Sequence, residues 1–260
     1  MKALISLAQL NLKFGDPQLN FDRAIQMIAE AARRQSDCIL FPELWTSGYD
    51  FEHALDHVHS NRSISADLSA LAQEYRLWLG GSMLEEQDGQ LFNTFTMFSP
   101  DGVSSYKYQK IHLFRLMDEH HWFLPGDHLQ SIDLPLGKVG MAICYDLRFP
   151  EMFRKYALEG CRIILMPAEW PIIRVQHWKL LTRARAIENQ IVVAAVNCVG
   201  KIGNETFGGS SAIIDPWGDA IIEGNDHDEA LLTAEVDLDQ VSTVRQKIPV
   251  FNDRRPDIYG

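Results

Sequence analysis

Residues 137–171, GKVGMAICYDLRFPEMFRKYALEGCRIILMPAEWP, read as one strand–helix–strand unit. The apolar run in GKVGMAICYD predicts a strand, FPEMFRKYALEGC a helix and RIILMPAEWP a second strand. Working outward, the same order recurs on both sides. Towards the N-terminus, ALISLAQL (3–10) predicts a strand that stops at the turn signal FGDP. In NFDRAIQMIAEAARRQS (20–36), Phe21, Ala24, Ile25, Ile28, Ala31 and Ala32 fall at helical spacing, with Asn20 as the expected N-cap. DCILFPE (37–43) is a short buried strand ending at a proline, SADLSALAQEYRL (65–77) a helix and WLGGSML (78–84) a strand. LFNTFTMFSP (91–100) and GVSSYKYQK (102–110) read as strands joined by the turn SPDG. Towards the C-terminus come the helix HWKLLTRARAIENQ (177–190) and the strand IVVAAVNCVG (191–200). GGSSAIIDPWGDAIIEG (208–224) and ALLTAEVDL (230–238) are expected to close the chain as hairpin-like strands.

Hairpins in the middle and at the end argue against a plain doubly wound parallel sheet. Two mixed β-sheets with helices on their outer faces satisfy both patterns. No Gly/Ser-rich linker, low-complexity tract or short internal repeat divides the chain, so residues 1–260 are read as one domain. The stretch from about Thr243 lacks periodicity and is expected to be an extended tail.

A chain of 260 residues with 46% hydrophobic and 23% charged residues can build its core without disulfides or structural metal. A net charge of −11 removes any general electrostatic reason to bind nucleic acid or an anionic membrane. The cysteines, Cys38, Cys144, Cys161 and Cys198, form no CxxC pair, and three of them sit in apolar runs, which fits a reducing compartment. The N-terminal apolar stretch is too short and interrupted for a signal peptide or a membrane span, so a cytoplasmic location is expected.

Three segments share one arrangement: an apolar strand that ends in a reactive residue and a turn. CILFPELW ends on Glu43, YKYQKIHLF presents Lys110, and GMAICYDLRFPE ends on Cys144. Strand ends are where loops leave the core of an α/β protein, so three of them can meet in one cleft. Singly, each residue has a plainer reading, as a capping acid, a surface lysine and core filler. Together they suit acyl transfer. A thiol needs a base or a cation to become a nucleophile. Glu43 can take its proton, and Lys110 can stabilise the oxyanion together with the backbone N–H of Tyr145. The following helix, FPEMFRKYALEG, adds its N-terminal dipole.

FPELW, YQKIHLF and AICYDLRFPE, in this order and spacing, resemble the motif regions of the nitrilase superfamily of carbon–nitrogen hydrolases. RARAIENQ with VVAAVN, and GGSSAIIDPWG, fit the same family, so the resemblance covers essentially the whole chain. It implies an αββα sandwich and a Glu43–Lys110–Cys144 triad. It also implies a second glutamate after the lysine, which MDEHHWFLPGD places at Glu119, holding Lys110 and helping to position water. ELWTSGYD, LMDEH, CYDLRFPE and AEWP are most similar to the ω-amidase-like branch, near bacterial members associated with methionine salvage.

The resemblance thus implies hydrolysis of the ω-amide of a dicarboxylate such as 2-oxoglutaramate, through a cysteine thioester. Such a substrate calls for an arginine, Arg148 ahead of Arg174. Trp170, Tyr49 and Phe149 are candidate pocket walls. The alternatives are another substrate of the same family (an N-carbamoyl amino acid, a deaminated glutathione or an aliphatic amide), a papain-like enzyme with His112 or His177 as base, and a thiol redox or binding module. His112, His120, His121 and His128 follow no metal-binding pattern, so neither metal nor other cofactor is expected. The expected partners are a small amide and water, and a second copy of the chain packed through FPEMFRKYALEG and HWKLLTRARAIENQ.

Overall fold

In the computed structural model, which describes residues 1–202 and 204–259, the chain runs twice through one course. The first comprises β1 (Lys2–Gln9), α1 (Pro17–Arg33), β2 (Cys38–Leu40), α2 (Ala54–Tyr75), β3 (Trp78–Gln87), β4 (Gln90–Phe98) and β5 (Ser105–Gln109). A short helix, α3 (Glu119–Trp122), leads to the second: β6 (Ser131–Leu134), β7 (Gly137–Met141), α4 (Pro150–Leu158), β8 (Ile163–Ala168), α5 (Val175–Asn189) and β9 (Val192–Asn197). Then come the hairpin β10 (Val199–Ile202) and β11 (Glu205–Gly208), β12 (Ala212–Ile214), β13 (Ala220–Glu223), β14 (Ala230–Asp237), α6 (Asp239–Lys247) and α7 (Pro256–Tyr259).

One sheet has the order β14-β1-β2-β3-β4-β5, the other β6-β7-β8-β9-β12-β13. Both carry the same sequence of pairings: antiparallel, two parallel, then two antiparallel. The parallel pairs force crossovers, which α1 and α2 supply in one sheet and α4 and α5 in the other. Strand residues alternate between the two sides. Ile5, Leu7 and Leu40 join Phe95, Met97 and Leu165 between the sheets, whereas Ile39, Phe41 and Leu79 pack against Phe21, Ile28, Leu68 and Ala72 of the outer helices. This is the expected αββα sandwich, with its central strands β2, β8 and β9 buried on both faces. No helix of the described residues is long and apolar enough to cross a membrane.

Four expectations need correction. Asn20 does not cap α1. Asp16 does, its carboxylate accepting from the Leu19 N–H at 3.1 Å with Pro17 in the first turn. Asn20 lies buried within the helix, where it donates to the carbonyls of Lys13 and Thr46. Helix α2 begins eleven residues earlier than its apolar pattern, because polar His57 and Asn61 face inwards, bonded to Asp50 at 2.8 Å and to the Leu84 carbonyl at 2.9 Å. Strand β14 forms no closing hairpin. It crosses to the other sheet and pairs with β1, Leu4 opposite Glu235. The tail is not simply extended. Thr243 lies inside α6, which buries Val241 and Val244, and Phe251 sits under the guanidinium groups of Arg154 and Arg245.

Candidate active site

Strand β2 ends at Leu40, and Pro42 lets the chain leave the sheet just before Glu43. The next residue, Leu44, adopts a left-handed φ of 41°, which turns the chain away and leaves the Glu43 side chain between the sheets. Glu43 is fully buried, so its carboxylate depends on protein donors. Oε1 accepts from Lys110 Nζ at 2.6 Å and Asn93 Nδ2 at 2.8 Å, and Oε2 from the Tyr49 hydroxyl at 2.8 Å and the Glu169 N–H at 3.1 Å. These four bonds match the acceptor capacity of a carboxylate.

Lys110 directly follows β5 and keeps its ladder in register, its N–H donating to the Asn93 carbonyl. Its buried Nζ also reaches both oxygens of Glu119 at 2.8 Å, and Glu119 Oε2 accepts from the Phe114 N–H. Burial alone would pull the ammonium down, but Glu119 and Glu43 outweigh it and hold Lys110 above its ordinary value. Burial lifts the Glu119 carboxyl, against the pull of Lys110 and with help from the Glu43 charge. Lys110 is therefore a fixed, permanently charged donor strung between two acids.

Cys144 lies three residues past the end of β7 and opens a single 3₁₀ turn, Cys144–Arg148. Its φ of 43° is left-handed, a strained conformation for a residue with a Cβ. Asp146 holds the turn from below. Its carboxylate accepts from the Ile143 N–H, the Tyr108 hydroxyl and the His112 N–H, and pairs with His112 Nδ1 at 2.8 Å. It thereby ties the Cys144 turn to the Lys110 strand. The buried Cys144 thiol donates weakly to the Glu169 carbonyl, Sγ to O being 3.9 Å. Burial first, then the nearby Glu43 charge, push it well above the ordinary thiol value, while Lys110 pulls it back. Cys144 is thus a thiol at rest. No hydrogen bond among the described residues uses the Tyr145 N–H beside it.

Above the thiol lies a narrow cleft of about 10 Å³, lined by Phe114, Cys144, Arg148, Glu169, Trp170, Pro171 and Arg174. That is about the room of one water, so the cleft must widen to admit a substrate. Arg148 lies 4.9 Å over the Trp170 ring and 3.4 Å from His177 Nδ1, and Arg174 lies 5.4 Å over Phe114. Of the predicted residues, Glu43, Lys110, Cys144 and Glu119 meet at the cleft floor, and Arg148, Arg174 and Trp170 line it. Tyr49 does not line this cleft; its hydroxyl serves Glu43 instead. Phe149 stacks on the His112 ring at 3.6 Å, and the Tyr145 ring lies 4.8 Å from Phe114. Neither His112 nor His177 hydrogen-bonds the thiol, as a papain-like base would.

Three residues of this site escaped the sequence reading. Asn93 and Asp146 sit in quoted motifs, but only three-dimensional contact shows whom they serve. Glu169 sits in AEWP, where an acid amid apolar strand residues was the available signal. Two further clusters, Asp50–His53–His57 and Asp118–His120–His121, place candidate cation ligands within 4.8 Å of one another. Both stand outside the Cys144 cleft, and the first is internally hydrogen-bonded through Asp50.

Comparison with known proteins agrees with this geometry. A family model described as carbon-nitrogen hydrolase matches residues 4–246. The chain is 39% identical to a 2-oxoglutaramate amidase of Bacillus subtilis, over 100% of both chains. It is 34% identical to an omega-amidase of Homo sapiens, covering 93% of this chain and 91% of that one. Among solved structures, a CN-hydrolase superfamily protein of Xanthomonas campestris, with an arsenic adduct in its active site, superposes with a TM-score of 0.92 at 31% identity, over 98% of both chains. A mutant amidase of Nesterenkonia sp. AN1, carrying the acetamide moiety of fluoroacetamide on its active-site cysteine, gives a TM-score of 0.88 at 25% identity, over 99% of this chain and 95% of that one.

Proposed function

The chain belongs to the carbon-nitrogen hydrolase family, and we propose that it is an amidase in which Cys144 opens the ω-amide of a short dicarboxylate, 2-oxoglutaramate above all. One observation carries the reading. Lys110 Nζ bridges Glu43 and Glu119 at 2.6–2.8 Å, beneath a buried thiol in a cleft faced by two arginines. The similarity to a 2-oxoglutaramate amidase and to omega-amidases points to the same substrate class.

In this mechanism the carboxylate of the substrate lies against Arg148 or Arg174, guanidinium groups whose fork fits its two oxygens. The amide carbon then meets Cys144 Sγ, and its oxygen meets Lys110 Nζ and the Tyr145 N–H. As sulfur attacks, its proton passes to Glu43, and charge gathers on an oxygen that two positioned donors already face. Glu43 returns the proton to the departing nitrogen, the C–N bond breaks, and ammonia leaves a thioester. Water enters, gives a proton to Glu43 and attacks the thioester carbon. The acid departs and the thiol recovers its proton. Glu119 keeps Lys110 aimed throughout, since an unpaired lysine here would pay the full cost of burial.

The same proposal includes a homodimer. Leu158, Leu180 and Ile187 on α4 and α5 expose apolar side chains, as does Ile173 just before α5. A cytoplasmic setting belongs to it too. All four cysteines are free thiols, the state a reducing compartment maintains. A role in methionine salvage rests on the motif resemblance alone. The activity is tested by ammonia release from 2-oxoglutaramate. Wild type should turn it over and Cys144→Ala should be inactive with an unchanged circular dichroism spectrum. Residual turnover by that variant would remove Cys144 from the chemistry.

A further inference from the structure

Glu169 has no task in this mechanism beyond its backbone. Its N–H holds Glu43 and its carbonyl accepts from the Cys144 thiol. Its side chain is 1% exposed, and no hydrogen bond from the described residues reaches either carboxyl oxygen. Buried polar atoms without partners are rare in folded proteins and call for a reason. Here the reason lies in the surroundings, for Glu169 lines the same cleft as Cys144, Arg148 and Arg174.

The charge state follows from the same surroundings. Burial pushes the Glu169 carboxyl well above the ordinary range. The Glu43 and Glu119 charges push it further, and Lys110 pulls back without prevailing. Tyr49 and Cys198, the other titratable groups that sense it, are themselves lifted by burial and supply no positive charge. An uncharged carboxylic acid carries one O–H donor and a free carbonyl acceptor. Neither is used by any hydrogen bond among the described residues.

We propose that Glu169 is the specificity-determining residue of the cleft, its carboxylic acid donating a hydrogen bond to the uncharged 2-oxo oxygen of the substrate. The inference rests on the ω-amidase reading above and deepens it. A 2-oxo ω-amide offers an acceptor close to its carboxylate, and Arg148 or Arg174 holds that carboxylate beside Glu169. A substrate without the oxo group leaves the O–H unpaired. Glutamine brings an ammonium instead, which a neutral acid cannot balance and the two arginines repel. Selection therefore works by what is left unsatisfied when the wrong substrate enters.

The test compares kcat/KM for 2-oxoglutaramate, glutaramate and glutamine. Wild type should rank them in that order. Glu169→Leu should cut the preference for 2-oxoglutaramate over glutaramate by about tenfold or more, chiefly through KM. Glu169→Met is a second apolar variant of similar volume, should leucine disturb the fold. Glu169→Gln retains a donor and an acceptor without a charge, and should restore most of the preference. A ratio unmoved by both apolar variants would overturn the inference while leaving the amidase reading intact. So would a glutamine variant as impaired as the leucine one, which would mean that an ionised carboxylate is needed. Wild type inactive on both 2-oxoglutaramate and glutaramate would overturn the amidase reading itself, and this inference with it.

Discussion

CILFPELW (38–45) and IILMPAEW (163–170) occupy corresponding places, each carrying the middle strand of three in which neighbours run parallel. Aligned on Pro42 and Pro167, their tryptophans, Trp45 and Trp170, coincide, and their acids, Glu43 and Glu169, fall one residue apart. Both acids are buried beside Cys144, and the Glu169 N–H even donates to Glu43. Glu43, however, accepts from four donors, one of them a lysine ammonium, whereas Glu169 accepts from none among the described residues. Depth of burial is therefore not what assigns their roles. The acid that the protein solvates has its acceptor sites taken up by protein donors. The acid left bare keeps its proton and has a hydrogen bond to offer. In the mechanism we propose, one fold course, repeated, yields a base in one half and a donor in the other.

The largest expected effect comes from removing the solvated side of this contrast. Glu43→Gln cannot accept the thiol proton, and kcat should fall by about 10²–10⁴-fold. A smaller loss in steady-state turnover would mean that another group takes the proton. Thinning the donor shell should do less. Tyr49→Phe removes one of four donors from Glu43, and kcat should drop roughly tenfold with KM little changed. An effect confined to KM would return Tyr49 to the role of pocket wall.

The smallest effect concerns stability on the bare side. The folded protein holds the Glu169 proton more tightly than the unfolded chain does. That stabilisation is fully present below the ordinary carboxyl range and is lost as pH rises towards the raised folded value. Glu169→Gln has no such proton to lose. Its advantage in thermal denaturation over wild type should therefore grow as pH rises above the ordinary carboxyl range. An advantage independent of pH would show that Glu169 titrates like an ordinary acid.

Much of this was legible in the chain. Apolar runs ending in Pro–Glu, Gln–Lys or Cys–Tyr–Asp marked three strand ends, and strand ends in α/β proteins converge, so Glu43, Lys110 and Cys144 were found together. The pairing of β14 with β1 was hidden because its partners are more than two hundred residues apart. Helix α2 hid its first turns behind inward-facing His57 and Asn61, and α6 was too short and polar to declare itself. The repeat of the fold course is faint in the chain, the two central strands sharing Ile39 with Ile164, Leu40 with Leu165, Pro42 with Pro167 and Trp45 with Trp170. The state of Glu169 was beyond sequence altogether. AEWP and FPELW look alike as text, and only the count of donors around each carboxyl separates them.

That separation can be observed directly by infrared difference spectroscopy near neutral pH, comparing wild type with Glu169→Gln and with Glu43→Gln. The account predicts that Glu169→Gln removes the C=O stretch of a protonated carboxylic acid, while Glu43→Gln removes a carboxylate band instead. Loss of a carboxylate band in the Glu169→Gln spectrum would contradict it.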